Sequence, residues 1–119
     1  MTKLMIVDDA SFMRISIRQM VEDHGFQIVA EASDGSEAVE QYKKYKPDIV
    51  TMDITMPNMS GIEALKTIKS IDVNAKIIMV SAMGQESLIK EAVLNGAKSF
   101  IVKPFKKEKL LEVLNGVAK

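Results

Sequence analysis

The sequence predicts an α/β domain with a parallel sheet covered on both faces by helices, and three observations carry that prediction. Short β-rich apolar runs alternate with longer segments of helical period from one end of the chain to the other. Several runs are apolar without the in-and-out alternation of a half-exposed strand, the pattern of strands buried on both faces. No linker, low-complexity tract or change of composition interrupts the alternation, so residues 1–119 read as a single domain.

The first run, "LMIV" at Leu4–Val7, is followed by Met13, Ile17, Met20 and Val21 at helical spacing, and Gly25 stands just past that stripe as a helix terminator. "QIVAEA" at Gln27–Ala32 comes next, then a helix whose stripe is Ala38, Val39 and Tyr42. Asp34 and Glu37, three apart, fit the start of that helix as an N-cap and its returning partner. The third run, "DIVTMD" at Asp48–Asp53, leads through a loop to Ser60 and Glu63, a second capping pair, and to the stripe Ile62, Leu65 and Ile68. "KIIMVS" at Lys76–Ser81 precedes Ile89, Ala92 and Val93, with Gly96 past the helix end. "SFIVK" at Ser99–Lys103 precedes Leu110, Val113, Leu114 and Val117. The unit is therefore a strand and a helix repeated about five times, and right-handed crossovers make the strands parallel. In such sheets ligands bind beyond the carboxyl ends of the strands, where the strand order reverses.

Composition narrows the function. A chain of 119 residues can bury one core but not two. Its 16 basic and 16 acidic side chains cancel, which argues against nucleic acid or an anionic membrane as a general partner. Without cysteine there is no disulfide, thiolate metal site or thiol nucleophile. The opening "MTKLMIVDDA" meets aspartate too early for a secretion signal, and no apolar run nears the roughly 18–20 residues that span a bilayer. A soluble cytoplasmic domain is expected.

The residues that end the strands carry the chemistry: Asp8 and Asp9 after the first, Asp53 after the third, Ser81 after the fourth and Lys103 after the fifth. A lone aspartate in a loop is usually a cap or a solvated turn residue. Three brought to one rim repel one another, and they either raise a pKa or recruit a cation. Hard oxygen donors without histidine or cysteine suit Mg²⁺, which keeps waters and takes one or two carboxylates together with phosphate oxygens. Asp53 is the natural nucleophile for an aspartyl phosphate, since aspartates committed to a metal are less free to attack. Lys103 can pair with Asp53 or with an arriving phosphoryl oxygen.

These residues resemble a known family. "VDD" at Val7–Asp9, "MDITMPNMSG" at Met52–Gly61, "SA" at Ser81–Ala82 and "KPF" at Lys103–Phe105 are similar, in order and spacing over the whole chain, to the receiver domain of two-component response regulators, and most of all to its stand-alone chemotaxis members. The resemblance implies a flavodoxin-like, doubly wound (βα)5 fold with five parallel strands in the order 2-1-3-4-5. It implies Asp53 as phosphoacceptor, and Asp8, Asp9, Asp53 and the backbone carbonyl of Thr55 as Mg²⁺ ligands. Ser81 then binds the phosphoryl group, Lys103 pairs with it, and Phe100 is the switch aromatic. A cis Lys103–Pro104 bond is implied as well. The implied partners are a sensor histidine kinase as donor, a flagellar motor switch protein or other downstream protein as target, and a phosphatase; a monomer is expected. The domain would catalyse only its own phosphorylation and dephosphorylation. Ser81 stands where threonine is more frequent in the family, and Phe100 where tyrosine is, so the hydroxyl of the second is lost. Thr55 and Met83 occupy places that tune phosphate hydrolysis.

Other readings are weaker. A Mg²⁺-dependent aspartyl phosphatase of the haloacid dehalogenase kind wants a second acid two residues after the nucleophile, where Thr55 stands, and a cap domain for which there is little length. A flavin carrier lacks a Ser/Thr/Gly-rich phosphate loop after the first strand, and its phosphate would be repelled by Asp8 and Asp9. The helix reaches Lys119 with no linker, which favours a complete single-domain protein over a receiver cut from a DNA-binding regulator. Met5, Met20, Met52 and Met79 read as core filling, whereas Met56, Met59, Met83 and Leu88 read as candidates to meet a partner. His24 sits at a helix end, where a cationic ring suits the dipole, and no chemical role is expected of it.

Overall fold

The computed structural model describes residues 1–119. Strands β1 (Thr2–Val7), β2 (Phe26–Ala32), β3 (Ile49–Asp53), β4 (Ile77–Ser81) and β5 (Ser99–Val102) alternate with helices α1 (Ser11–Val21), α2 (Gly35–Tyr45), α3 (Gly61–Ile71), α4 (Glu86–Leu94) and α5 (Lys107–Ala118). Every strand pairing is parallel and the order is β2-β1-β3-β4-β5, as the resemblance implied. Each strand expected from the sequence is present, and only end residues differ.

The unalternated apolar runs are explained by an apolar cluster on each face of the sheet, so the single core expected from chain length is divided in two by the strands. Leu4 and Ile6 of β1 join Ile17, Val21, Leu110, Leu114 and Val117 under α1 and α5. Met5 and Val7 point the other way, into a larger cluster with Ala38, Tyr42, Ile62, Leu65, Ile68 and Ala92 under α2, α3 and α4. Successive side chains of a strand leave opposite faces, so a strand between two helical layers has no polar side. Full burial of side chains such as Leu4, Ile68 and Ile78 supplies the main driving force, at about 1.5–3 kcal/mol each.

Local signals hold the connections. Ser60 forms a complete capping box, its side chain accepting from the Glu63 N–H while the Glu63 carboxylate accepts from the Ser60 N–H. Asp34 accepts from the Glu37 N–H at 2.8 Å, but the Glu37 carboxylate reaches one residue further back, to the Ser33 N–H at 2.9 Å. Gly96 takes φ +100° past α4, as a terminating glycine does. Gly61 is required by close approach, because a Cβ there would lie 1.9 Å from the Asp53 carbonyl oxygen.

Further sequence expectations are corrected in α4 and in the loop after β3. In α4 the buried side is Leu88, Ile89 and Ala92, while Val93 is 48% exposed. Leu88 thus packs on the core instead of facing a partner. Met56 is buried and Met59 half-buried against the core, because the loop after β3 folds back until the Met59 carbonyl accepts from the Gly35 N–H at 2.9 Å. Of the loop methionines only Met83 stays open, at 77% exposure.

Candidate functional site

Strand order reverses beside β1, and the carboxyl ends of β1 and β3 bring Asp8, Asp9 and Asp53 to one edge. Oxygens of the three carboxylates lie within 4.8 Å of one another. Asp8 is buried and firmly held: its N–H donates to the Ala32 carbonyl at 3.1 Å, prolonging the β1–β2 ladder, and its Oδ1 accepts from the Ala10 N–H at 2.9 Å. Asp53 is 8% exposed at the end of β3. Asp9 is exposed and opens the cluster to solvent.

Lys103 reaches in from the end of β5. Its Nζ donates to Asp8 Oδ2 at 3.0 Å and lies 3.5 Å from Asp53 Oδ1. The Lys103–Pro104 bond is cis. One ammonium against three carboxylates leaves an excess of negative charge. Burial, and then the Asp8 charge, raise the Asp53 pKa to about 6, with Asp9 adding to the rise and Lys103 opposing it. Burial works against the Lys103 ammonium, but the hydrogen bond to Asp8 and the charges of Asp53 and Asp8 outweigh it and hold its pKa up.

Ser81 ends β4, next to β3, in the register that pairs Asp53 with Val80. Its Oγ is fully buried and has no hydrogen-bond partner. An orphaned buried hydroxyl costs about 1–3 kcal/mol, so this one is open to a polar group delivered to the edge. Thr55 is exposed in the loop after β3, and its carbonyl accepts no backbone hydrogen bond. Phe100 stands apart from the acids, 44% exposed on β5, beside Met83, Ile89 and Lys90 in a cavity of about 530 Å³.

Asp8, Asp9, Asp53 and Lys103 thus come into mutual reach, Ser81 and Thr55 share their edge, and Phe100 lies on the flank. The donor set is all oxygen and partly buried with an excess of negative charge, which fits a hard divalent cation such as Mg²⁺.

Two residues escaped the sequence reading. Arg14 donates to the Asp8 carbonyl at 2.6 Å, and Gln85 ties two site loops together. The Gln85 amide oxygen accepts from the Ala82 N–H at 2.7 Å while its nitrogen donates to Thr55 Oγ1 at 2.9 Å. Their only sequence signal was a polar residue at a helix start, shared with most helices.

The chain is similar to known proteins over nearly its whole length. The model of the response regulator receiver domain family matches residues 4–115. The chemotaxis protein CheY of Bacillus subtilis is 57% identical over 113 residues, covering 95% of this chain and 94% of that protein. The chemotaxis protein CheY of Thermotoga maritima is 55% identical over 117 residues, covering 98% of each. Among solved structures, the CheX-CheY-BeF3-Mg+2 complex from Borrelia burgdorferi superposes with a TM-score of 0.93 at 45% identity, covering 98% of this chain and 88% of that one. Fold, acidic edge and relatives together place the chain in the response regulator receiver domain family, on the side of its chemotaxis regulators.

Proposed function

We propose that the chain is a phosphorylation-activated switch of a two-component system, accepting a phosphoryl group from a sensor histidine kinase on Asp53 with Mg²⁺. The observation that carries this reading is the gathering of Asp8, Asp9 and Asp53 within 4.8 Å, with the Lys103 ammonium 3.5 Å from Asp53. Bound by Asp8, Asp9, Asp53 and the Thr55 carbonyl, Mg²⁺ would supply the positive charge that lets an anionic phosphoryl group approach. A carboxylate oxygen of Asp53 forms the new P–O bond while the P–N bond of the phosphohistidine breaks, and the imidazole leaves with the bonding electron pair. With its pKa at about 6, Asp53 is mostly ionised at neutral pH and needs no general base. Lys103 exchanges part of its pairing with Asp53 for a phosphoryl oxygen, and the unpartnered Ser81 hydroxyl gains a partner there.

The transferred charge is read on the α4–β5 flank. Drawing Ser81 toward the phosphoryl group makes room for Phe100 to turn inward from its exposed position, which changes the surface a target protein meets. By likeness to its chemotaxis relatives that target is the flagellar motor switch, and a receiver in another phosphorelay is the alternative. The Borrelia complex with CheX makes a CheX-like protein a candidate partner. The receiver domain, residues 1–119, works in the cytoplasm as a monomer and turns over no free metabolite. Intact-mass measurement after incubation with acetyl phosphate tests the proposal. One phosphoryl group should be gained with Mg²⁺, and none without Mg²⁺ or in Asp53→Asn. Rapid hydrolysis of a generic phosphate ester with no adduct would replace it with the phosphatase reading.

A further inference from the structure

We propose that Arg14 is a positioning residue of the acidic site, acting through the backbone on Asp9. This inference rests on the cation-binding role given above to Asp8, Asp9 and Asp53. Asp8 is fixed by its own hydrogen bonds and Asp53 by its place at the end of a buried strand. Asp9 is exposed, its side chain makes no hydrogen bond, and it lies beyond the last residue of β1. Its carboxylate is placed by the peptide units on either side, and since the Ala10 N–H bond to Asp8 Oδ1 holds the one that follows, the remaining control is the one that precedes. The carbonyl of that unit belongs to Asp8, and it accepts from Arg14 Nη1 at 2.6 Å.

The guanidinium is itself anchored. Arg14 Nε donates to Glu31 Oε1 at 3.2 Å, and Glu31 is pinned on β2 opposite Ile6, two residues before Asp8. One rigid fork therefore joins β2, the first turn of α1 and the Asp8–Asp9 peptide plane. Arg18 binds the other oxygen of Glu31 from the same helix, yet makes no hydrogen bond to the site.

Geometry and charge predict opposite outcomes. Removing a cation near an acidic cluster should by Coulomb attraction alone tighten the binding of a divalent ion. Loss of a group that orients a ligand should weaken it, by about 10-fold at the lower end of such effects. Mg²⁺ affinity is measured by titration, following backbone amide shifts of the folded protein in wild type, Arg14→Met, Arg14→Lys and Arg18→Met. We expect about 10-fold weaker binding in Arg14→Met, a smaller loss in Arg14→Lys, which keeps the charge but loses the fork, and no weakening in Arg18→Met. Arg14→Met at wild-type affinity or tighter overturns the inference, as does equal weakening in Arg18→Met. If Arg14→Met does not fold, Arg14→Lys decides by the same criterion. A wild type that binds no Mg²⁺ overturns the cation-binding reading itself, whereas a binding wild type with unaffected Arg14 variants sinks only the role of Arg14.

Discussion

Neutralising Asp53 should stabilise the metal-free fold at neutral pH. Burial and the neighbouring Asp8 carboxylate raise its pKa from 3.8 to about 6, so ionisation is resisted by the folded state and accepted freely by the unfolded chain. The sign follows from linkage. The stability contributed by the protonated form is complete below about pH 3.8 and is lost as pH rises through about 6. A shift of roughly two units corresponds to about 3 kcal/mol of cost above pH 7, an upper bound because the site opens to water at Asp9. Asp53→Asn removes that cost and gives up only a long 3.5 Å contact with Lys103, which keeps its 3.0 Å bond to Asp8. Urea unfolding in the presence of a chelator measures the difference. Between pH 4 and pH 7.5 the variant should gain about 1–3 kcal/mol on the wild type, and saturating Mg²⁺ should shrink that gain. A difference that does not change with pH, or a wild type that is the more stable at pH 7.5, would refute the reasoning.

Further expectations concern groups around the site and far from it. Thr51, fully buried on β3 two residues before Asp53, leaves its Oγ1 without a partner, so Thr51→Val should raise stability by about 1 kcal/mol in urea melts. Ser60→Ala breaks a complete capping box and should lower stability by about 1 kcal/mol, whereas Ser60→Asp should leave it nearly unchanged. The Tyr42 hydroxyl donates to Asp72 at 2.7 Å, and that bond, followed by one from the Asn74 N–H, depresses the Asp72 pKa. Tyr42→Phe should therefore be destabilised at neutral pH, and its unfolding midpoint should converge on that of wild type as pH falls below the usual carboxylate range. Gly61→Ala drives a methyl into the Asp53 carbonyl and should abolish Mg²⁺-dependent amide shifts at the site even where the variant folds, which a Mg²⁺ titration checks.

Much of this molecule was legible in the chain because its strands are buried on both faces. Runs such as "KIIMVS" carry no competing helical pattern, and Gly96 or Ser60 marks where helices stop and start. The site was legible for a related reason: parallel topology sends the carboxyl ends of the strands to one rim, so reading the residues at or just past the end of each run collects Asp8, Asp9, Asp53, Ser81 and Lys103. The misreadings arose where tertiary position decides. In the nine-residue α4, Leu88–Ile89–Ala92 and Ile89–Ala92–Val93 are both sound helical stripes, and only the docking against β4 selects the first. Met56 and Met59 have loop neighbours in sequence, yet the loop closes over Gly35, burying the first and half-burying the second. Arg14 and Gln85 grip backbone groups, and a backbone carbonyl or N–H leaves no mark in the sequence.

The central claim is that one carboxylate of the acidic edge receives phosphorus while its neighbours serve the cation. Borohydride reduction turns an aspartyl phosphate into homoserine, so protein treated with acetyl phosphate and Mg²⁺, reduced, digested and sequenced by mass spectrometry reports the acceptor directly. Homoserine at position 53, and at no other aspartate, is the predicted result. Homoserine at position 8 or 9, or none anywhere with Mg²⁺ present, would contradict it.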